Sequence, residues 1–438
     1  MRYPAQMQGS TQAEETDERR EAVNATPSLC VRGSRCSSLS RHANFHSSVG
    51  VRIGAPSRDS ASTSSDEMEP GPPAIKRLRT GTADTGPYTP QNILVTGGAG
   101  FIASHLVILL AKKYPQYKVV NFDKLDYCSS LRNLSELDGK PNYKFVRGNL
   151  LSADLIKYVL EQEQIDTIIH AAAQTHVDNS FGNSFAFTEN NVMGTHVLVE
   201  TAKSCGIKRF IHVSTDEVYG SSYDDDPSRR EGDVLEPTNP YAATKAAAEN
   251  IVKSYWSSFK LPVIITRGNN VYGPHQYPEK VIPKFIRRLV NGEPCCIHGD
   301  GSNSRHYIYV GDVVSAFDTV LHKGVPGETY NIGCHEEITN LQLAERLVRE
   351  IYPACKDARE KIDFVEDRAF NDVRYYLNYE KLLGLDWKPV VSFEEGLRKT
   401  IEWYKTVDTK WWDVGTDSSL APHPTPAEVV SASASAAK

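Results

Sequence analysis

Asn92-Ile-Leu-Val-Thr96 is a short apolar run of strand type, and Gly97-Gly98-Ala99-Gly100 follows it with no spacer. From Phe101 and Ile102 through His105 to Ala111 the chain continues as an apolar helical stretch. Glycines at 97 and 100 permit a turn tight enough for backbone N–H groups to approach a pyrophosphate, which rests on the N-terminus of the following helix. Ala103 stands where a third glycine is common, and it is small enough to keep helix and strand in contact. The next apolar run, Val119 to Phe122, ends at Asp123. That is about 20 residues beyond the glycines, where a carboxylate reaches the adenosine ribose of a dinucleotide. A carboxylate there repels a 2′-phosphate, so NAD is expected rather than NADP.

A unit of this kind demands a parallel sheet covered by helices on both faces. The middle of the chain agrees. Ile165–His170 and Arg209–Ser214 read as strands, with helical stretches around 152–163, 190–204 and 241–258 among them. The alternation predicts an α/β fold, a doubly wound parallel sheet with a smaller C-terminal lobe. Ligands of such sheets bind beyond the C-terminal strand ends. Ala171–Asp178 and Thr215-Asp216-Glu217 both fall there.

Composition separates this middle from the ends of the 438-residue chain. Residues 1–88 are rich in Ser, Arg, Glu, Gly and Pro, with few large apolar residues, and are expected to be a disordered extension. Residues 89–270 are expected to form the NAD-binding domain. Residues 271–415 are expected to form a mainly substrate-binding lobe partly interleaved with the sheet, and 416–438 a second disordered tail. Glu14, Glu15, Asp17 and Glu18 argue against a targeting presequence, and Met1–Arg20 lacks the apolar run of a signal peptide. Lys76-Arg77-Leu78-Arg79 reads as a basic stretch in a solvated tail. No apolar run reaches the roughly 18 residues needed to span a bilayer, so no membrane is expected. Net charge is −6 without a basic stripe in the middle, which disfavours nucleic acid. The eight cysteines lack CxxC spacing and include the adjacent pair Cys295 and Cys296. No metal site is expected, and a reduced, cytoplasmic setting is.

Chemistry concentrates in Ser214-Thr215-Asp216-Glu217-Val218-Tyr219-Gly220 and Tyr241-Ala-Ala-Thr-Lys245. Tyr241 and Lys245 lie one turn apart on one helix face. An ammonium there favours the phenolate, so Tyr241 is expected to act as a base below its free pKa of about 10. Two adjacent carboxyls allow one proton to be removed and another delivered. Whichever carboxyl delivers a proton must hold it near neutrality, and burial beside the other raises an acid's pKa. In an extended chain the two side chains face opposite ways, so joint action requires a bend at this point. With NAD beside it, the set suits redox chemistry coupled to elimination.

Gly97-Gly-Ala-Gly-Phe-Ile102, Ala172-Ala-Gln-Thr-His-Val-Asp178, the Thr-Asp-Glu segment, Tyr241/Lys245 and Arg267-Gly-Asn-Asn-Val-Tyr-Gly-Pro274 together resemble the nucleotide-sugar 4,6-dehydratases. These are extended short-chain dehydrogenase/reductases of Rossmann type. The resemblance runs from about Asn92 to Val414. Leu125–Leu134 and Trp411-Trp-Asp-Val414 are especially similar to the dehydratase domain of plant UDP-rhamnose synthases, whose fused second domain has no counterpart in this sequence.

The resemblance implies roles. Tyr241, with Lys245 and Thr215, takes the 4-hydroxyl proton while hydride leaves C4. Glu217 removes the C5 proton, and Asp216 protonates the departing 6-hydroxyl. Gly97, Gly100, Phe101, Ile102, Asp123, Asn149, Ala172, Asn191 and Ser214, with Tyr241 and Lys245, are implied cofactor contacts, and Thr96 a neighbour. Asn270, Lys280, Arg305, Asn331 and Arg368 are implied to grip the nucleotide diphosphate, with Gly299–Arg305 a polar loop closing over it and His176 lining the sugar pocket. A homodimer is implied as well. Asn149 stands where an Asp commonly faces adenine. Asn371 replaces a His frequent in dTDP enzymes, and the plant resemblance there favours UDP-glucose. Two other readings stay open: a 4-epimerase or decarboxylase of the same fold, and a non-catalytic NAD-binding protein.

Overall fold

The computed structural model describes residues 87–422, apart from Asp224, Ala369, Phe370, Thr409 and Val414. The extension expected over 1–88 therefore lies almost wholly outside the described residues, as does 423–438. Tyr88 falls within them and is anchored: its N–H donates to the His322 carbonyl and its hydroxyl pairs with Thr167 at 2.8 Å.

In chain order the first half contains β1 (Asn92–Thr96), α1 (Phe101–Lys113), β2 (Lys118–Asp123), β3 (Tyr143–Arg147), α2 (Ala153–Gln162) and β4 (Thr167–His170). Short helices α3 (Val177–Gly182) and α4 (Ser184–Phe187) and a π-helical turn (Thr188–Met193) lead into α5 (Gly194–Ser204). Then come β5 (Arg209–Thr215), a one-turn 3-10 helix (Asp216–Tyr219), α6 (Pro240–Phe259) and β6 (Val263–Gly268). Beyond lie β7 (Asn270–Tyr272), α7 (Val281–Val290), β8 (Cys295–His298), β9 (Ser304–Tyr309), α8 (Val310–Lys323), β10 (Thr329–Ile332), β11 (Glu337–Thr339) and α9 (Asn340–Ile351). The chain closes with β12 (Ile362–Val365), α10 (Glu380–Leu383), α11 (Phe393–Thr406) and α12 (Asp417–Leu420).

Seven strands form one parallel sheet in the order β10-β6-β5-β4-β1-β2-β3. Both faces are covered, which is why β1 and β4 are apolar without alternation. Ile93 and Val95 pack with Leu106, Leu110, Val313 and Phe317 on one face, while Leu94 joins Ile156, Leu198 and Val252 on the other. The order reverses at β1–β4, so the ends of those strands open a crevice. A second core of Phe285, Ile286, Leu343, Leu347, Leu397 and Trp412 holds the lobe built from α7, α9 and α11.

The interleaving expected beyond residue 270 takes the form of β10, which pairs with β6, and α8, which packs on α1. One boundary differs from the sequence reading: the tail does not begin at 416. Lys284 Nζ donates to the Ala421 carbonyl at 2.9 Å, Arg288 reaches that of Leu420 at 2.8 Å, and Leu420 is buried. One apolar residue and two carbonyls hold this turn, a signal too small to outweigh its Ser- and Thr-rich composition.

Candidate active site

The glycine turn is built by exclusion. Gly97 has φ +72°, and a Cβ on it would stand 2.7 Å from the Ala172 backbone. The Ala99 N–H donates to Asp123 Oδ2 at 3.0 Å and the Leu125 N–H to Oδ1 at 2.7 Å, tying the turn to the end of β2. Burial raises the Asp123 pKa, opposed by these N–H bonds. Gly97, Gly100, Phe101, Ile102, Asp123, Asn149 and Ala172 all line one cleft. Lys124, which also lines it, pairs with Asp126 at 2.8 Å. A backbone cradle that tolerates no side chain, with a carboxylate at the next strand end, fits NAD.

Two expected cofactor neighbours lie behind this wall instead. Asn191 is buried; its Oδ1 accepts the Gln174 N–H at 2.8 Å and its Nδ2 donates to the Gln174 carbonyl and Thr244 Oγ1. Thr96 accepts the Ala172 N–H at 3.3 Å and pairs with His170. Both brace the segment after β4.

A second cleft adjoins the first, sharing Phe101, Ile102, Thr175, Val213, Glu279 and Lys280. Ser214, Thr215, Asp216, Glu217 and Tyr241 line it. Strand β5 stops at Thr215, whose Oγ1 accepts the Glu217 N–H at 3.4 Å as the chain turns into the 3-10 helix. This is the required bend, and it turns both carboxyls into one cleft.

Their surroundings then separate them. Burial first, and Glu217 second, push the Asp216 pKa up to about 7. Asp216 accepts from Asn269 Nδ2 at 2.8 Å and from the Thr215 hydroxyl at 3.2 Å. Burial also raises Glu217, while Lys280 and a hydrogen bond from Asn239 favour its charged form. Asn239 Nδ2 reaches Glu217 Oε2 at 3.1 Å, and Asn239 Oδ1 caps α6 through the Ala242 N–H at 2.9 Å.

The Tyr241/Lys245 pair departs from expectation. Lys245 does not line either cleft; its Nζ donates to the Val213 carbonyl at 2.6 Å, and burial lowers its pKa to about 8. Burial and the Glu217 charge hold the Tyr241 phenol above its ordinary pKa, with a Thr215 hydrogen bond opposing them. Helix spacing brings the two residues to one face, but desolvation outweighs the ammonium here.

Asn270, Lys280, Arg305 and Arg368 line the second cleft. Lys280 donates to the Thr175 carbonyl at 2.7 Å, and Arg368 stands 3.6 Å from Asp178. Arg305 belongs to β9 rather than to a closing loop. It donates to Asn371 Oδ1 at 3.1 Å and to the Asp372 carbonyl at 2.9 Å, and stacks over Tyr375. Lys284, lowered to about 8 by burial, lines the same cleft. His176 lies there too, 3.7 Å from Asp178 and 3.8 Å from Glu279. Cations and an acid pair lining one cleft suit a diphosphate joined to a sugar.

Asn331 is the exception. It is fully buried on β10, accepts from the Tyr219 hydroxyl at 2.9 Å and donates to the Arg229 and Asn378 carbonyls. Asn340, the first residue of α9, lines the cleft where Asn331 does not. Sequence reasoning also missed Asn239 and Asn269. Asn239 carried a signal, a capping residue before Pro240; Asn269 had none. Among the described residues no group of three His, Cys, Asp or Glu is placed to hold a metal.

Comparison with known proteins gives matching relatives. The GDP-mannose 4,6 dehydratase family model matches residues 94–400. A trifunctional UDP-glucose 4,6-dehydratase/UDP-4-keto-6-deoxy-D-glucose 3,5-epimerase/UDP-4-keto-L-rhamnose-reductase of Arabidopsis thaliana is 55% identical over 340 residues, 77% of this chain and 50% of that protein. The chain thus spans about half the length of the plant relatives it matches. The dTDP-D-glucose 4,6-dehydratase of Homo sapiens is 51% identical over 336 residues, 76% of this chain and 95% of that one. Among solved structures, a dTDP-glucose 4,6-dehydratase of Streptomyces venezuelae with NAD bound superposes with a TM-score of 0.69 at 40% identity, covering 74% of this chain and 99% of that one.

Proposed function

The chain belongs to the GDP-mannose 4,6 dehydratase family, and from that premise we propose that it dehydrates a nucleoside-diphosphate glucose to the 4-keto-6-deoxy sugar, with NAD recycled in each turnover. One observation carries the reading: Asp216 and Glu217 turn into the same cleft as Tyr241, with Asp216 shifted to about 7. A 4-epimerase, the reading that a 31% identical UDP-glucose 4-epimerase of Thermotoga maritima keeps in view, has no use for such an acid pair.

Bound NAD supplies a hydride acceptor and donor. The phenolate of Tyr241, which burial and Glu217 oppose, would be favoured by the positive nicotinamide, and Tyr241 would then take the proton of the sugar 4-hydroxyl as C4 is oxidised. The 4-ketone acidifies C5–H, and Glu217, whose charged form Asn239 and Lys280 favour, removes that proton. Asp216 still holds its own proton near neutrality and delivers it to the 6-hydroxyl, which leaves as water; the hydride then returns to C6 and Glu217 gives its proton back to C5, completing the 4-keto-6-deoxy sugar. Lys280, Arg305 and Arg368 hold the diphosphate. The 55% identity to the plant UDP-glucose 4,6-dehydratase supports UDP-glucose as the preferred substrate.

Incubation with each nucleotide sugar, without added reductant, should yield the 4-keto product, faster from UDP-glucose. Glu217→Gln should lower product formation by about 10²- to 10⁴-fold while still forming reduced nicotinamide transiently. Undiminished product from that variant would sink the assignment of the C5 base. The homodimer is part of this reading, supported by exposed Phe185 and Met193, and sedimentation equilibrium measures it. A cytoplasmic location is supported by the free thiols of Cys295 and Cys296, and imaging of the tagged protein tests it.

A further inference from the structure

We infer that Glu249 and Arg267 form a buried positioning pair that sets the Tyr241/Lys245 helix against the Asp216–Glu217 turn. Both side chains are fully buried. Arg267 Nε meets Glu249 Oε1 at 2.9 Å, and its Nη2 meets Oε2 at 2.6 Å. Desolvating two charges is expensive, and apolar residues of like volume often stabilise as well, so the pair is weak evidence for stability alone. Its contacts point to spacing instead.

Three segments of the site converge on this pair. Glu249 lies on α6 one turn beyond Lys245 and two beyond Tyr241, so the three share a helix face. Arg267 Nη1 donates to the Tyr219 hydroxyl at 2.5 Å, and Tyr219 is the last residue of the turn that starts with Asp216 and Glu217. Tyr219 in turn donates to Asn331 on β10, which gives that asparagine its part. Arg267 also stands two residues before Asn269, the donor to Asp216. Lys253 adds a second cation on Glu249 at 3.2 Å.

The pair also sets the charge around Lys245. On its own helix Lys245 meets Tyr241 and Glu249; from β4 and β5 it faces His170 and His212, which burial holds neutral. Glu249 is the anion in that set, and its charge favours the ammonium. Arg267 keeps Glu249 ionised.

The inference rests on the dehydratase reading, so the experiment separates the two. Full-length Tyr219→Phe, Glu249→Gln and Glu249→Asp are compared with the unaltered protein across pH, following transient reduced nicotinamide and 4-keto product. Tyr219→Phe should lower kcat for elimination by about 10-fold or more at little-changed KM, because it frees the acid turn. Glu249→Gln should move the alkaline limb of C4 oxidation down by roughly one pH unit, and Glu249→Asp should restore it. Folded variants with a lowered Tm but unaltered kcat and alkaline limb would overturn the positioning role. If Glu249→Gln does not fold, Tyr219→Phe decides alone. Absence of 4-keto product from the unaltered protein would overturn the dehydratase reading itself.

Discussion

Asp216 and Glu217 are neighbours in sequence, yet their partners assign them opposite tasks. Burial raises both carboxyls, but Lys280 and Asn239 oppose the rise at Glu217, whereas burial and the neighbouring Glu217 charge carry Asp216 to about 7. The shift has a thermodynamic sign. Between the ordinary carboxyl value of 3.8 and about 7, the folded state holds a proton that the unfolded chain has lost. Stability therefore falls as pH rises through that interval and levels off above it, by roughly 4 kcal/mol in all. Asp216→Asn removes this dependence. Its Tm should exceed that of the unaltered protein at pH about 8 and match it near pH 4, while product formation falls by about 10²- to 10⁴-fold. Thermal melts at the two pH values check the first part, and an unchanged gap between them would contradict it. The raised Asp216 was legible in the sequence because its causes, burial at a strand end and an adjacent acid, are local. The partner of Lys245 was not, because a backbone carbonyl has no signature. Asn331 and Asn340 illustrate the same limit: Asn331 on β10 is taken up by Tyr219, Arg229 and Asn378, whereas Asn340 opens α9 at the cleft, and no local pattern separates the two.

At the scale of elements, α6 and the 3-10 turn are joined by one side chain. Asn239 caps α6 with its oxygen and holds Glu217 with its nitrogen. Asn239→Ala should cost about 1 kcal/mol through the lost cap. Asn239→Asp separates the two tasks, since a carboxylate still caps but no longer donates to Glu217. It should keep Tm near that of the unaltered protein and move the acid limb of product formation to higher pH, as a second anion raises the Glu217 pKa. A pH profile with an unmoved acid limb would show that Asn239 serves the helix alone. The long elements were legible because β1, α1, β4 and β5 are built around apolar residues and a glycine turn follows β1. The 3-10 turn was legible only as a need, because Asp216–Tyr219 contains no Gly or Pro. Gly220, at φ +79°, ends it and was the available mark.

For the molecule as a whole, the chain leaves the sheet after β6, builds most of the lobe and comes back. Strand β10 supplies the sheet edge next to β6, and α8 covers α1 with Val313, Phe317, Val320 and Leu321. Sequence reasoning placed the division at 270, where the dinucleotide unit and the Tyr/Lys helix are complete, and expected the lobe to interleave partly with the sheet, but a four-residue strand within a lobe carries no sign of its partner. The energetics argue against that boundary as a folding limit. Burying four such side chains contributes about 6–12 kcal/mol. That is comparable with the roughly 5–15 kcal/mol that holds a whole domain together. A fragment spanning 87–270 would also leave β6 with an unpaired edge, a template for association. It should therefore melt without a cooperative transition by circular dichroism and elute as aggregate in gel filtration, whereas residues 87–422 should melt cooperatively. A sharp transition from the short fragment would restore 270 as a true domain boundary and show that β10 and α8 trim the sheet rather than complete it.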